Sequence, residues 1–260
     1  MNFTQISQDE YKEIDFVVMG HAYAIQNEMG RLFDEAIYRN ELKDRLQDDF
    51  ENVATEVPIE IAFGPFSKNY YADIVVNSKL IYELKAVSAI TTEHRLQLLQ
   101  YLLLTGQYHG KLVNFGSAKV TGEYVSTTLD EAEQRRLSFN TDLFLQKSPV
   151  AIDFLKVMTE MLEAWGGFLN LEIYYAATEH LLGGFEQVVQ PVPIFGKTSQ
   201  IGFQKIHLLS ESSAYKITGL SKNIDDYRSE LVRFLSHTRL ESIQWVNLNK
   251  QEVSFETLVR

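Results

Sequence analysis

Three ionisable side chains on two neighbouring predicted strands have the types and spacing of a catalytic site. Asp73 lies in the stretch YYADIVV, and Glu83 and Lys85 lie in LIYELKAV. Successive side chains of a strand point to opposite faces, so Glu83 and Lys85 share a face, and a hairpin-like connection can bring Asp73 beside them. Two carboxylates supply the hard oxygen ligands that Mg²⁺ prefers. A lysine beside such an ion can orient a water molecule or offset charge that develops on a phosphate.

A structural role also explains these three residues. Buried ionised groups are costly unless they are paired or bound to a metal. An ion pair between Lys85 and either carboxylate would meet that requirement at a sheet edge. Spacing alone therefore leaves two interpretations open, a metal-dependent catalytic site and a structural salt bridge.

The segments that must position these residues alternate between helical and strand patterns. Apolar residues recur at helical spacing in two N-terminal segments and in a third that follows the candidate residues. Alternating or continuous apolar stretches bounded by Gly, Pro, Asn and Ser indicate strands. The pattern predicts helices over 9–29, 32–46 and 93–104, and strands over 53–63, 70–76, 80–87, 111–115 and 122–128.

The second half of the chain repeats the first. Residues 82–115 align with 215–248 without a gap, and the Gly-x-Leu-x-x-Glu-x-x-Tyr pattern of residues 30–38 recurs at 167–175. The identical pairs in the ungapped alignment are Tyr82/Tyr215, Ser88/Ser221, Arg95/Arg228, Leu98/Leu231, Leu102/Leu235, Thr105/Thr238, Val113/Val246 and Asn114/Asn247. This similarity predicts an internal duplication of one α/β domain.

The duplication sets the expected domain organisation. We predict a first domain over 1–130 and a second over 149–260. The charged, weakly periodic segment 131–148 between them has the composition of a linker.

The first copy carries a series of motifs in a defined order. They are Gly30, Glu35-x-x-Tyr38, Asp73, Glu83-Leu84-Lys85 and Gln97-x-x-x-Tyr101. This order, over about residues 14–129, resembles the GxxExxY proteins, a branch of the PD-(D/E)XK nuclease superfamily. Two positions depart from the pattern: Leu32 stands where the family name has its first glycine, and Ala72 stands where the superfamily label has proline.

The resemblance implies a fold and an activity. The implied fold class is α/β, with two restriction-endonuclease-like domains that each have a mixed central sheet flanked by helices, the second copy being degenerate. The implied activity is hydrolysis of phosphodiester bonds with Mg²⁺ or Mn²⁺. The implied site residues are Asp73, Glu83, Lys85 and Gln97 for catalysis, with Gln97 helping to orient the site. The implied metal ligands are Asp73, Glu83, the backbone carbonyl of Leu84 and Glu35.

The second copy lacks the metal-binding pair. The aligned positions are Asp73/Ile206 (or His207 after a one-residue slip), Glu83/Lys216, Lys85/Thr218 and Gln97/Glu230. A cation such as Lys216 in place of a metal ligand would repel the ion. We therefore predict a non-catalytic second copy that supports the fold or grips substrate.

Composition excludes several other classes of protein. The 260 residues include no cysteine, which excludes disulfides, thiolate metal sites and cysteine nucleophiles. No apolar run reaches the roughly 18 residues of a membrane span, and the polar, acidic start lacks the features of a signal peptide, so a cytoplasmic location is expected. The net charge of −11 argues against broad electrostatic capture of nucleic acid, so local cations, a protein partner or a homo-oligomer would have to hold a polyanion.

Two functions of different classes are compatible with this sequence. The first is a Mg²⁺-dependent nuclease acting on DNA or RNA through Asp73, Glu83 and Lys85. The alternative is a binding or assembly module that keeps the nuclease fold without cleaving, which the acidic charge favours. A third, a hydrolase of a small phosphorylated substrate, would use the same carboxylates.

Overall fold

The chain forms two units, each built around its own sheet. The computed structural model describes residues 3–146 and 148–260. By their internal contacts, the first unit consists of Met1–Ile61 and Lys68–Glu131, and the second consists of Ala62–Ser67 and Ala132–Arg260.

The first unit is a mixed five-stranded sheet with three helices. Its elements are α1 (Gln8–Met29), α2 (Glu35–Leu46), β1 (Val53–Phe63), β2 (Phe66–Val76), β3 (Leu80–Lys85), α3 (Thr92–Thr105), β4 (His109–Asn114) and β5 (Thr121–Ser126). The strands lie in the order β1-β2-β3-β4-β5, and β2/β3 and β4/β5 are antiparallel. Strands β3 and β4 are parallel, which requires the crossover that α3 provides.

The second unit contains the same succession of elements, with a short helix and an extra strand before it and a further short helix inserted before its first shared strand. Its elements are α4 (Glu131–Gln134), β6 (Ser138–Leu143), α5 (Pro149–Trp165), α6 (Leu171–Leu181), α7 (Phe185–Val188), β7 (Val189–Phe195), β8 (Gln200–Ser210), β9 (Ser213–Thr218), α8 (Ile224–Ser236), β10 (Ser242–Asn249) and β11 (Glu252–Val259). The strands lie in the order β6-β11-β10-β9-β8-β7.

Strands β7 to β11 repeat the arrangement of β1 to β5. The hairpin β8/β9 and the pair β10/β11 are antiparallel, and β9/β10 are parallel with α8 as the crossover. Two mixed sheets flanked by helices confirm the predicted fold class and are consistent with two restriction-endonuclease-like domains. The predicted helices and strands of the first copy are also present, with ends that differ by a few residues.

The segment predicted as a linker, 131–148, differs from that expectation. It contains α4 and β6, and β6 pairs in parallel with β11. This pairing occupies hydrogen-bonding groups that would otherwise be free at the edge of the second sheet.

Helices α1 and α5 begin and end in the same way. Ser7 and Ser148 each accept a hydrogen bond from a backbone amide in the first turn of their helix. Gly30 and Gly166 end the two helices with φ of +79°, a conformation that favours glycine. None of the helices in the described ranges is long and apolar enough to cross a bilayer.

Apolar side chains cover both faces of the first sheet. Tyr82 and Leu84 of β3 belong to the cluster formed with α1 and α2, whereas Ile81 belongs to the cluster formed with α3. Because side chains alternate along a strand, Glu83 and Lys85 lie on the face of Ile81, as predicted from their spacing.

Candidate active site

Strands β2 and β3 separate beside Asp73, and its carboxylate fills the gap in their ladder. The paired residues run only as far as Ile74 and Tyr82. Beyond that pair, the amide of Leu84 donates a hydrogen bond to Oδ2 of Asp73 at 2.8 Å. This bond satisfies a backbone donor and an acidic side chain that is only 7% exposed.

Glu83 and Lys85 form an ion pair on the α3 side of β3. Nζ of Lys85 lies 2.8 Å from Oε1 of Glu83, and both residues are buried. The other carboxylate oxygen of Glu83, Oε2, is also buried and has no hydrogen-bond partner among the described residues. Because an unpartnered buried polar atom is costly, this oxygen marks an interaction that the chain alone leaves unfilled.

Helix α2 contributes two charged residues to the same place. Oε2 of Glu35, in the first turn of α2, lies 3.7 Å from Nζ of Lys85. One turn later, Nη1 of Arg39 lies 3.1 Å from Oδ1 of Asp73, and its Nη2 lies 3.0 Å from Oε1 of Glu56. The structure therefore brings Glu35 to the predicted site and adds Arg39, which sequence reasoning missed. The i, i+4 spacing from Glu35 puts Arg39 on the same helix face, and that spacing was the available signal.

Gln97 reaches the site only through a neighbouring tyrosine. Its Nε2 donates to the hydroxyl of Tyr101, one turn later in α3, at 2.9 Å. Burial and the nearby Glu83 carboxylate raise the pKa of Tyr101 to about 12. Among the hydrogen bonds of the described residues, none joins Gln97 to Asp73 or Glu83, so its predicted orienting role would act through Tyr101.

The carboxylates of the site crowd one another electrostatically. Burial and the neighbouring Asp73 carboxylate raise the pKa of Glu83 well above its ordinary value, and burial raises the pKa of Glu35. Burial opposes the charge of Lys85, but the surrounding carboxylates, Glu83 first, outweigh it and raise the pKa of this lysine. The site thus holds a protonated lysine beside acidic groups that an added cation would stabilise.

The donor set fits a hard divalent cation. Asp73 and Glu83 offer carboxylate oxygens, and Oε2 of Glu83 has no partner to lose on binding an ion. The carbonyl of Lys85 accepts from the amide of Phe115, the residue directly after β4, so by strand alternation the carbonyl of Leu84 faces the gap that Asp73 fills. In the described ranges no three His, Asp or Glu side chains are already arranged around one point as metal ligands. Asp73 and Glu83 are paired with Arg39 and Lys85. Binding would exchange those contacts for the ion.

A tyrosine hydroxyl makes the same two contacts in each unit. The hydroxyl of Tyr38 donates to the carbonyl of Gly30 at 2.7 Å and accepts from the backbone amide five residues before it at 3.3 Å. The hydroxyl of Tyr174 donates to the carbonyl of Gly166 at 2.6 Å and accepts from the amide five residues before it at 3.4 Å.

These contacts correct the alignment of the second helical pair by one residue. The sequence pattern matched Gly30 to Gly167 and Tyr38 to Tyr175, but Gly166 has the positive φ of Gly30 and Tyr174 has the contacts of Tyr38. A glycine is required where the helix ends with φ of +79°, and that position fixes the register.

The corrected register changes which residue corresponds to Glu35. With the alignment moved by one, Glu35 corresponds to Leu171 and not to Glu172, and Arg39 corresponds to Tyr175. The second unit therefore retains no counterpart of the Glu35 carboxylate.

In the second unit, other residue types stand at the positions of the candidate site. Leu208 pairs with Ala214 as Val75 pairs with Ile81, which places Ile206 at the position of Asp73. The corresponding residues are Asp73/Ile206, Glu83/Lys216, Lys85/Thr218, Glu35/Leu171 and Arg39/Tyr175.

Tyr175 takes over the one backbone contact that Asp73 makes. Its hydroxyl accepts from the amide of Ile217 at 2.8 Å and donates to the carbonyl of the same residue at 3.0 Å. Ile217 corresponds to Leu84, whose amide bonds to Asp73. The second unit thus satisfies the gap between its strands without an acidic group.

A match to a protein-family model supports the fold of the first unit. Residues 12–126 match the family model of the PD-(D/E)XK nuclease superfamily. Among solved structures, the chain in the crystal structure of SSO0001 is similar, with 24% identity and a TM-score of 0.30. That match covers 48% of this chain and 61% of the SSO0001 chain. No curated protein matches the chain.

Proposed function

We propose that the first unit is a Mg²⁺- or Mn²⁺-dependent nuclease that hydrolyses phosphodiester bonds of DNA or RNA. The observation that carries this proposal is the buried, unpartnered Oε2 of Glu83 beside Asp73 and Lys85. The match of residues 12–126 to the nuclease superfamily supports the same activity. The Glu35-x-x-Tyr38 motif favours the GxxExxY branch as the finer assignment.

Each side chain of the site has a role that follows from its contacts. Asp73, Glu83 and the carbonyl of Leu84 would hold the cation, and Glu35 stands near enough to add a carboxylate. When bound, the ion polarises the phosphate and lowers the pKa of a bound water. The neighbouring carboxylates raise the pKa of Lys85, and we assign this lysine the role of a hydrogen-bond donor that orients the water or offsets charge on phosphate oxygens.

The acidic balance of the chain limits how substrate is held. With a net charge of −11, the protein needs local cations, a protein partner or a second copy to bring a polyanion to the site. We keep a homo-oligomer or protein partner, and a cytoplasmic location, as parts of the proposal.

A second candidate function is a module that keeps the fold and does not cleave. The contact between Arg39 and Asp73 favours it, since a guanidinium already neutralises one of the two proposed metal ligands. Such a module would recognise a nucleic acid or a protein without exchanging that ion pair for a metal.

Cleavage assays on the full chain test the first proposal. We expect the wild type to cleave single- or double-stranded DNA or RNA with Mg²⁺ or Mn²⁺, and Asp73→Asn and Glu83→Gln to abolish cleavage. The amide introduced by Asp73→Asn keeps an oxygen that can accept from Leu84, so loss of activity reports the lost charge and not a lost backbone contact. Glu60→Gln, the same change as Glu83→Gln at an exposed position of β1, should leave the rate unchanged. Cleavage that persists in both site variants would contradict the proposal.

Calorimetric titration with Mg²⁺ separates the enzyme from the module. The enzyme should show saturable binding that Glu83→Gln removes and Glu60→Gln preserves. No saturable binding, together with no cleavage of any of the four substrates, would favour the module.

A further inference from the structure

The second unit contains a cavity at the place that corresponds to the candidate active site. It has a volume of about 330 Å³ and lies between α8 and the strands β8, β9 and β10. Ile206 and Lys216, which correspond to Asp73 and Glu83, both line it. Its size falls in the ordinary range of small-molecule sites.

The cavity holds a cation that has no ion pair. Lys156, His207, Arg228 and Arg233 form ion pairs in the second unit, and none found among the described residues uses Lys216. Lys216 is half-buried on the strand face that lines the cavity. An ammonium removed in part from water without a counter-ion favours an anionic ligand.

The other charged groups at the cavity do not remove its preference for an anionic ligand. Lys205, at its edge, adds a second positive charge and lies 6.0 Å from the ring of Phe185. Glu230 also lines the cavity, but its carboxylate pairs with Arg233 at 3.2 Å. His207 is hydrogen-bonded to Glu179 at 2.8 Å.

One wall of the cavity is apolar and aromatic. Tyr227, Leu231 and Phe234 lie at i, i+4 and i+7 of α8 and therefore share a helix face. Ile206 and Ile243 face them from the sheet. A planar, mostly apolar group would be accommodated against this wall, and aromatic side chains stack on bases without regard to sequence.

We infer that this cavity binds a nucleotide, with the phosphate on the ammonium of Lys216 and the base against Tyr227 and Phe234. The choice of a nucleotide over another planar anion rests on the proposed function of the first unit. The second unit would then hold a phosphate by a lysine at the position where the first unit would hold a metal ion by Glu83.

Calorimetry on the full chain in metal-free buffer tests this inference. The parent protein carries Glu83→Gln, so neither metal binding nor cleavage at the first unit contributes to the signal. The probes are adenosine 5′-monophosphate, adenosine, inorganic phosphate, and a short oligonucleotide with or without a 5′-phosphate. We expect the monophosphate to bind more tightly than adenosine or inorganic phosphate, because only it has both recognised parts.

Substitutions locate the binding. Lys216→Gln should weaken binding about tenfold to a hundredfold, the range for loss of a hydrogen bond to a charged group. Lys222→Gln, the same change at an exposed position of the second unit, should leave affinity unchanged. Phe234→Leu should weaken binding of the monophosphate and leave binding of inorganic phosphate unchanged, because leucine keeps the apolar bulk but removes the ring.

The outcomes distinguish a free nucleotide from the end of a nucleic-acid strand as the ligand. They also distinguish failure of this inference from failure of the proposed nuclease activity. Lys216-dependent binding of the free monophosphate identifies a free nucleotide, and Lys216-dependent binding of only the 5′-phosphorylated oligonucleotide identifies a strand end. The inference would be overturned if the parent protein and its Lys216→Gln variant bound the phosphorylated probes with equal affinity. It would also be overturned if no probe bound saturably to the folded parent protein. Because the parent cannot use the first site, either result stands whether or not the wild type cleaves nucleic acid.

Discussion

The two units share polar contacts that hold the fold and differ at the positions of the candidate site. In each, an asparagine side chain, from β4 in the first unit and from β10 in the second, is hydrogen-bonded to the backbone that follows the neighbouring parallel strand, β3 or β9. Asn114 accepts from the amide of Val87 at 3.1 Å and donates to its carbonyl at 2.9 Å. Asn247 makes the same pair of bonds with Leu220, at 2.8 and 3.0 Å. The tyrosine contacts with Gly30 and Gly166 are a second shared feature.

This comparison shows that the fold does not need the buried acids. Ile206, Lys216 and Leu171 occupy the positions of Asp73, Glu83 and Glu35, and strands β7 to β11 still have the order of β1 to β5. Buried carboxylates that crowd one another destabilise a protein unless something else offsets them. Their presence in the first unit alone is therefore better explained by chemistry than by folding.

The largest expected effect is on the rate of metal-dependent cleavage, which should depend on Lys85 but not on its counterpart in the second unit, Thr218. Lys85→Met should lower the rate of metal-dependent cleavage by about a hundredfold to a thousandfold, as expected when a donor to developing charge is removed. Thr218→Val should leave the rate unchanged, because the second unit has no acidic site. Rates measured at a temperature where circular dichroism shows both variants folded test the difference. A similar loss in both would mean that the two units contribute equally to catalysis.

A smaller effect should be common to the two units. Tyr38→Phe and Tyr174→Phe each leave a backbone carbonyl and amide without their hydroxyl partner, which should lower the free energy of unfolding by about 1–3 kcal/mol. Both tryptophans, Trp165 and Trp245, lie in the second unit. Urea denaturation followed by their fluorescence should therefore report Tyr174→Phe directly, while far-ultraviolet circular dichroism reports both variants. Tyr71→Phe, at an exposed position, is the control. A stability loss in one unit only would show that the matching contacts are not equivalent.

The smallest expected effect is on the stability that each unit gains from a matching arginine–glutamate ion pair. Nη2 of Arg95 lies 2.9 Å from Oε2 of Glu123, and Nε of Arg228 lies 2.8 Å from Oε2 of Glu256. The side chains are 43% and 38% exposed in the first pair but 33% and 13% exposed in the second. Solvent screens the more exposed pair more strongly.

Arg228→Gln should therefore lower the urea midpoint more than Arg95→Gln does. Added salt should reduce the effect of Arg95→Gln further than that of Arg228→Gln. The reverse order of midpoints would show that burial does not decide the strength of this shared pair.

Several features of the site follow from local rules and were predictable. The period of two along a strand put Glu83 and Lys85 on one face, and the structure shows their ion pair. The predicted helices and strands of the first copy follow from apolar periodicity and turn residues. The salt bridge between Lys85 and Glu83 is present, but β3 is the central strand and not a sheet edge as expected. The metal-site interpretation stays a prediction, supported by the other oxygen of Glu83, which has no partner among the described residues.

Other features depend on contacts that a local pattern does not contain. Arg39 resembles any surface arginine on a polar helix, and only the packing of α2 beside β2 brings it to Asp73. Gln97 was expected to help orient the site, and only the structure shows that its side chain donates to Tyr101. The repeated sequence motif aligned Glu35 with Glu172, whereas the hydrogen bonds of Tyr174 show that Glu35 corresponds to Leu171.

By itself, the sequence determined the duplicated order of elements, the strand face shared by Glu83 and Lys85, and the loss of the acidic residues from the second copy. These features are local, because propensity, side-chain periodicity and residue identity are all written along the chain. Only the tertiary structure decided that one oxygen of Glu83 lacks a partner among the described residues, that Arg39 pairs with Asp73, and that Lys216 lines a cavity. Those features arise where helices pack on strands distant in sequence, and burial and contact across that distance are set only when the chain has folded.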